Sequence, residues 1–244
     1  MIVALETATT ACSAALCATD GSVVAERVSL AGPAHSRLLL PFVREVLEEA
    51  GRGWDDVGTV AAGLGPGAFT GLRIGIATAR ALAQADGRAE LAGVPTLSAL
   101  ALALAGAPEA ASGGRLVPLV DGRRREVFAA VFEPDGDGVR QIEDVAVVPA
   151  DELAGWLADR GPVVVGGDGA ALYGELLPPS ARAAAGVVAP TAAMVGRAVA
   201  CGAPGVVRGP DLVLPLYGRA PDAKPRAAGP GSPGAGGPTR GCAP

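Results

Sequence analysis

The chain has 244 residues and a formal net charge of −5. That is long enough for one large or two small domains with a sizeable core, and bulk charge does not draw it onto nucleic acid. A single lysine, Lys224, and a single histidine, His35, exclude a Walker-type or Schiff-base lysine in the folded part and any multi-histidine metal site.

Half of the residues are hydrophobic but only 3% are aromatic, so the core must be built from Val, Leu, Ile and Ala. No apolar run reaches the roughly 18–20 residues that span a bilayer. The start, Met1-Ile2-Val3-Ala4-Leu5-Glu6, meets an acid at once and lacks a basic n-region, so a cytoplasmic protein without a signal peptide is expected. Cys12, Cys17, Cys201 and Cys242 form no C-x-x-C pair and read as free thiols.

Residues 2–5, 12–18 and 23–28 are predicted strands, the last two joined by a turn centred on Asp20-Gly21. Leu38, Leu39, Phe42, Val43, Val46 and Leu47 recur at helical spacing and predict a helix over 36–50. A strand over 57–62 leads into the glycine-rich Gly65-Pro66-Gly67-Ala68-Phe69-Thr70-Gly71, and a helix over 72–85 leads out of it. A strand at 91–94 and a helix to about 105 follow.

After a break at 106–114 the pattern repeats. Strands are predicted at 116–120, 126–132, 139–148, 163–165 and 187–188, and helices at 149–156, 170–177 and 191–201. Each half opens β-β-β-α-β-α, the plan of an RNase-H-like lobe, and ends on a further strand and helix. The expected fold is α/β: two tandem lobes, 1–106 and 107–219, with mixed sheets flanked by helices and a cleft between them, as in actin-like ATPases and sugar kinases. Gly and Pro supply nearly half of 220–244, which predicts a disordered tail.

A glycine-rich turn between strand and helix suggests a phosphate cradle, which makes Gly65 and Gly67 candidate phosphate contacts. Yet Pro66 removes one N–H donor, and the segment follows three strands and a helix rather than the first strand of a βαβ unit. Glu6 and Thr7 stand where actin-like ATPases place metal- and phosphate-contacting residues, but a solvated strand end is the simpler reading. Asp121 is the corresponding acid of the second half. Arg123, Arg124 and Arg125 form either a solvated turn or an anion-contacting patch.

In the helix after the turn, Gly71, Gly75, Ala79 and Ala83 form a small-residue stripe, with Leu72, Ile76 and Leu82 beside it. The stripe lets another surface approach closely, either this chain's own sheet alone or a partner as well. Leu38-Leu39-Leu40 makes the 36–50 helix apolar on more than one face. His35 lies just before that helix, where a cap or interface role is expected, because no second catalytic partner accompanies it.

Together these segments resemble the YeaZ-type (TsaB) family. Gly65-Pro66-Gly67-Ala68-Phe69-Thr70-Gly71-Leu72-Arg73-Ile74-Gly75 is similar to its GPGSFTGLRIG run. His35-Ser36 with Leu38-Leu39 is similar to its HS…LL helix start, Asp121 to Phe128 to its DARRGEVY hairpin, and Pro215-Leu216-Tyr217-Gly218-Arg219 to its C-terminal PxYLR. The resemblance implies a non-catalytic relative of the actin-like ATPases. Such a protein pairs with the paralogue TsaD, which transfers threonylcarbamoyl to adenosine 37 of tRNA, and is joined by the ATPase TsaE.

The resemblance also implies partner contacts on the first-lobe helices, here His35, Leu38, Leu39, Phe42, Val46, Gly71, Leu72, Gly75, Ile76, Ala79 and Leu82. It implies tRNA contact only through the complex, no metal or cofactor required by this chain alone, ATP and Mg2+ at the level of the complex, and a homodimer when TsaD is absent. Glu6-Thr7-Ala8 replaces the family's common Asp-Thr-Ser, which argues against ATP binding by the isolated chain. A stand-alone kinase is the alternative. A peptidase is disfavoured, since neither a metal pair nor a triad can be assembled.

Overall fold

The computed structural model describes residues 1–32 and 34–218. The predicted tail, with Arg219, Lys224 and Cys242, lies outside the described residues. In the first half, β1 (Ile2–Glu6), β2 (Cys12–Cys17) and β3 (Val23–Ser29) form an antiparallel meander. Then come α1 (His35–Glu49), β4 (Thr59–Gly65), α2 (Phe69–Asp86), β5 (Glu90–Pro95) and α3 (Thr96–Ala105). In the second half, β6 (Arg115–Arg123), β7 (Glu126–Asp135) and β8 (Gly138–Pro149) repeat the meander. They are followed by α4 (Leu153–Ala158), β9 (Val163–Gly166), α5 (Asp168–Leu172), β10 (Ala181–Ala183), α6 (Ala192–Cys201) and β11 (Val207–Arg208).

The two sheets share one topology. Their strand orders are β5-β4-β1-β2-β3 and β10-β9-β6-β7-β8, with β11 added beyond β5. Each is mixed: β1 pairs antiparallel with β2 and parallel with β4, and β6 does the same with β7 and β9. Central strands β1 and β2 are buried at every position, which explains why they read as apolar runs rather than alternating ones. The two RNase-H-like lobes expected from the repeated order are therefore present.

Five layers result. Helices α1 and α2 cover the outer face of the first sheet through Leu39, Val43, Val46, Leu47, Ile76 and Ala79. Helices α3 and α6 fill the space between the sheets. Helices α4 and α5 cover the outer face of the second sheet through Leu153, Leu157 and Ala170. The inner face of the first sheet carries Ala4, Ala15, Ala61 and Ala92; such short side chains let the middle helices come close.

The chain returns to its first sheet at the end. Helix α6 packs on β1, β2 and β4, and a β-carbon at Gly196 would overlap Cys17 Sγ. The Ala192 N–H donates to Ser13 Oγ at 2.8 Å and the Ala193 N–H to Glu26 Oε1 at 2.8 Å. Strand β11 pairs antiparallel with β5, Val207 opposite Gly93. Residues 192–208 of the expected 107–219 lobe thus lie against the first sheet, because its alanine-lined face takes a second helix.

Three local readings change. Residues 187–188 are not a strand: Val187 is a buried turn residue beside Gly166, and β10 takes the sheet edge instead. The expected 170–177 helix is divided between α5 and a 3-10 turn at Gly174–Leu176. Gly63-Leu64-Gly65 continues β4 rather than opening a loop.

Candidate functional site

Where β1 ends, the chain turns through Thr7 and Ala8 directly under the start of α2. The Ala68 N–H donates to the Ala8 carbonyl at 2.6 Å, and the Thr7 hydroxyl donates to the Gly71 carbonyl at 2.9 Å. β-carbons at Gly67, Gly71 and Gly75 would overlap Ala8 O, Thr7 O and Thr7 Oγ1 respectively. The glycines of the 65–75 run therefore let α2 sit against this turn. The space beside Gly67 that a phosphate would need holds the Ala8 carbonyl, and Gly65 faces Leu72 and the Leu216 carbonyl.

Glu6 is buried at the end of β1. Its Oε1 accepts the Thr7 N–H at 2.7 Å and the Ala8 N–H at 2.6 Å. Its Oε2 accepts the Thr96 hydroxyl at 3.2 Å, and Thr96 Oγ1 in turn accepts the Gly65 N–H at 3.2 Å. A β-carbon at Gly63 would overlap this carboxyl. Burial pushes the Glu6 pKa up to about 7, against the pull of these hydrogen bonds. The solvated strand end expected from sequence is instead a sealed carboxyl.

Two further acids face the junction of the lobes. Asp168, at the start of α5, is pushed up to about 6 by burial, and its Oδ1 accepts the Asp121 N–H at 3.1 Å. Asp121 accepts the Arg123 N–H at 2.9 Å and pairs with its guanidinium at 3.3 Å. Sequence reading missed Asp168. The available signal was Gly166-Gly167 after β9: Gly167 has φ of 106° and sits against the Leu119 carbonyl. Among the described residues no three acids, histidines or cysteines are grouped closely enough to hold a metal ion.

The resemblance brings ATP into question at this junction, and the donor set does not fit a nucleotide phosphate. The two N–H groups of the Thr7-Ala8 turn already bind Glu6. Asp168 and Asp121 also face the junction, and the Arg123 guanidinium beside them is already paired with Asp121.

Helices α1 and α2 carry the expected partner residues, and most of them face inward. Leu39, Val46, Leu72, Ile76 and Ala79 are buried, as are Gly71 and Gly75. The small-residue stripe faces this chain's own turn and sheet, the first of the two packings the sequence left open. His35 is buried with Nε2 3.1 Å from the Ala11 carbonyl. A carbonyl only accepts, so Nε2 carries the proton. Leu38, Phe42 and Leu82, together with Ile74, are half-buried along the two helices, while Leu40 and Phe69 are exposed.

The last described residues form a strap over α2. Arg80 donates to the Pro210 and Val213 carbonyls at 2.6 and 2.7 Å, Val213 is buried in the first-lobe core, and the Leu216 N–H donates to the Leu64 carbonyl at 2.8 Å.

Comparison with known proteins agrees with this architecture. The family model described as TsaD, tRNA N6-adenosine threonylcarbamoyltransferase, matches residues 20–180. The protein of Escherichia coli (strain K12) named "tRNA threonylcarbamoyladenosine biosynthesis protein TsaB" is 36% identical over 152 residues, which cover 62% of this chain and 63% of that protein. An uncharacterized protein of Mycobacterium tuberculosis (strain H37Rv) is 33% identical over 231 residues, 93% of this chain and 95% of its own length. The solved structure of YeaZ from Pseudomonas aeruginosa superposes with a TM-score of 0.70 at 32% identity, covering 88% of this chain and 98% of that one. With the same fold carried over nearly the whole of a solved relative, this chain belongs to the YeaZ (TsaB-type) family.

Proposed function

We propose that this chain takes part in threonylcarbamoyladenosine synthesis on tRNA as a non-catalytic subunit that docks on and activates a TsaD-type threonylcarbamoyltransferase. The name of the Escherichia coli relative supports the pathway, and the match to the TsaD family model supports a paralogue as partner. The observation that carries the non-catalytic role is Glu6. Its carboxyl fills the turn where the fold's enzymes handle phosphate, and the one histidine is buried against a carbonyl.

Docking falls to the outward side of α1 and α2, where Leu38, Phe42, Ile74 and Leu82 leave apolar surface half-covered. A second copy takes the same face when the partner is absent. A TsaE-type ATPase joins the assembly and ATP and Mg2+ act there, while this chain requires no cofactor of its own. The test is light scattering on this chain mixed with the TsaD-type protein of the same cell. A 1:1 species whose tRNA-modifying activity needs both chains is the expected result. Two separate species with no gain of activity would sink the proposal.

A further inference from the structure

The chain has only four Phe, two Tyr and two Trp, yet two of these rings stack on its surface. Phe69 opens α2 and Tyr217 lies on the terminal strap. They are 53% and 44% exposed, and their centroids are 5.3 Å apart at 27°. Burial therefore does not account for the pair. Arg73, one turn along α2, lays its guanidinium 3.7 Å from the Phe69 ring centre and donates from Nε to the Tyr217 hydroxyl at 3.1 Å. The result is an exposed, preorganised platform of two rings and a guanidinium plane.

The β6–β7 hairpin adjoins this platform. Arg123, Arg124 and Arg125 have φ of 61°, 53° and 62°, three consecutive left-handed residues without a glycine. That conformation is unfavourable for residues with a β-carbon and is retained where the surroundings or a function require it. All three side chains are exposed. The Phe128 ring links hairpin to strap: Gly122 approaches one edge, and a β-carbon at Gly218 would overlap another. Between α2 and the hairpin opens a cavity of about 450 Å3, lined by Arg123 and the hydroxyl-bearing Thr9, Thr10, Ser36 and Thr70.

The nearby carboxylates are Asp121, paired with Arg123, and Glu126. Arg73 and Arg125 have no ion-pair partner among the described residues. The mouth of the cleft is thus locally basic on a chain of net charge −5. Stacking planes set among guanidiniums and hydroxyls suit unpaired RNA, whose bases stack on aromatic and arginine planes while its phosphates and 2′-hydroxyls take the polar groups. A protein partner on this surface would instead have to desolvate several arginines.

We infer that this mouth is a contact surface for an unpaired RNA loop, with bases on Tyr217–Phe69 and phosphates on Arg73, Arg123 and Arg125. The inference rests on the proposed function and deepens it: within the complex, this chain touches the tRNA loop itself.

The test uses the full chain in its complex with the TsaD-type protein. Fluorescence anisotropy is read on a labelled RNA hairpin with an unpaired loop and on a blunt duplex of equal length, across a salt series. The hairpin is expected to bind more tightly than the duplex. Tyr217→Ala should weaken the hairpin about tenfold while Tyr217→Phe keeps its affinity. Arg125→Gln should lower the slope of log affinity against log salt by about 0.7. Equal binding of hairpin and duplex, or variants that match the wild type, would overturn the inference. It would also fall if Tyr217→Ala broke the protein complex, for the surface would then belong to a protein partner. If the wild-type chains fail to associate, the proposed function fails by itself, and the same variants on the isolated chain decide the RNA contact.

Discussion

The α2 backbone at Gly75 lies so close to Thr7 that a β-carbon there would overlap the Thr7 hydroxyl oxygen. Gly71, one turn earlier, meets the Thr7 carbonyl in the same way. Helix α2 is therefore seated on the turn after β1 by two missing side chains.

Gly75→Leu should accordingly destabilise the fold itself. Forcing a side chain into a filled space costs roughly 1–3 kcal/mol or more. Urea unfolding should show a lower midpoint, and any loss of partner binding should track the unfolded fraction. A mutant with wild-type stability that fails to bind its partner would restore the stripe as a docking surface.

Glu6 gives a pH dependence whose sign follows from its environment. Its pKa is about 7 in the fold against 4.5 in the free chain. Between those values the folded protein holds a proton that the unfolded chain has lost. Stability is therefore present in full below about pH 4.5 and is lost as pH rises to about 7. At about 1.4 kcal/mol per pH unit this amounts to roughly 3 kcal/mol. Asp168 acts in the same direction between 3.8 and about 6. The stability difference between wild type and Glu6→Gln should shrink or reverse by that amount from pH 4.5 to 7. A difference flat with pH would mean that Glu6 is ionised throughout.

The docking face makes a separate prediction. Leu38→Ala with Leu82→Ala trims half-buried side chains on the outer side of α1 and α2. Affinity for the TsaD-type protein should fall at least tenfold, within the range of interface anchors, while the thermal midpoint drops only a few degrees. Calorimetric titration checks the first and scanning calorimetry the second.

The terminal return of the chain can be tested at Gly196. A side chain there would overlap Cys17 Sγ, where α6 meets β2. Gly196→Val should lift α6 from the first sheet and expose the 202–218 segment. Limited proteolysis should then cut after α6 faster than in the wild type, with a stability loss of about 1–3 kcal/mol.

The sequence by itself determined the repeated β-β-β-α-β-α order, because apolar runs, helical spacing and Gly or Pro breaks are local signals that the fold did not override. It also carried the family motifs, and with them the expectation of a two-lobed YeaZ-type protein. Tertiary structure alone decided which face of α2 turns inward, since a small-residue stripe looks the same whether a partner or the chain's own turn fills it. It decided that Glu6 is sealed rather than solvated, because the enclosing groups, Gly63 and Thr96, come from β4 and α3. It brought Asp168 to Asp121 and Tyr217 to Phe69, pairs far apart in the chain. It also returned α6 and β11 to the first sheet. There the alanine-lined face and Gly196 create a close-packing partner that no local pattern encodes, because packing complementarity belongs to surfaces distant in sequence.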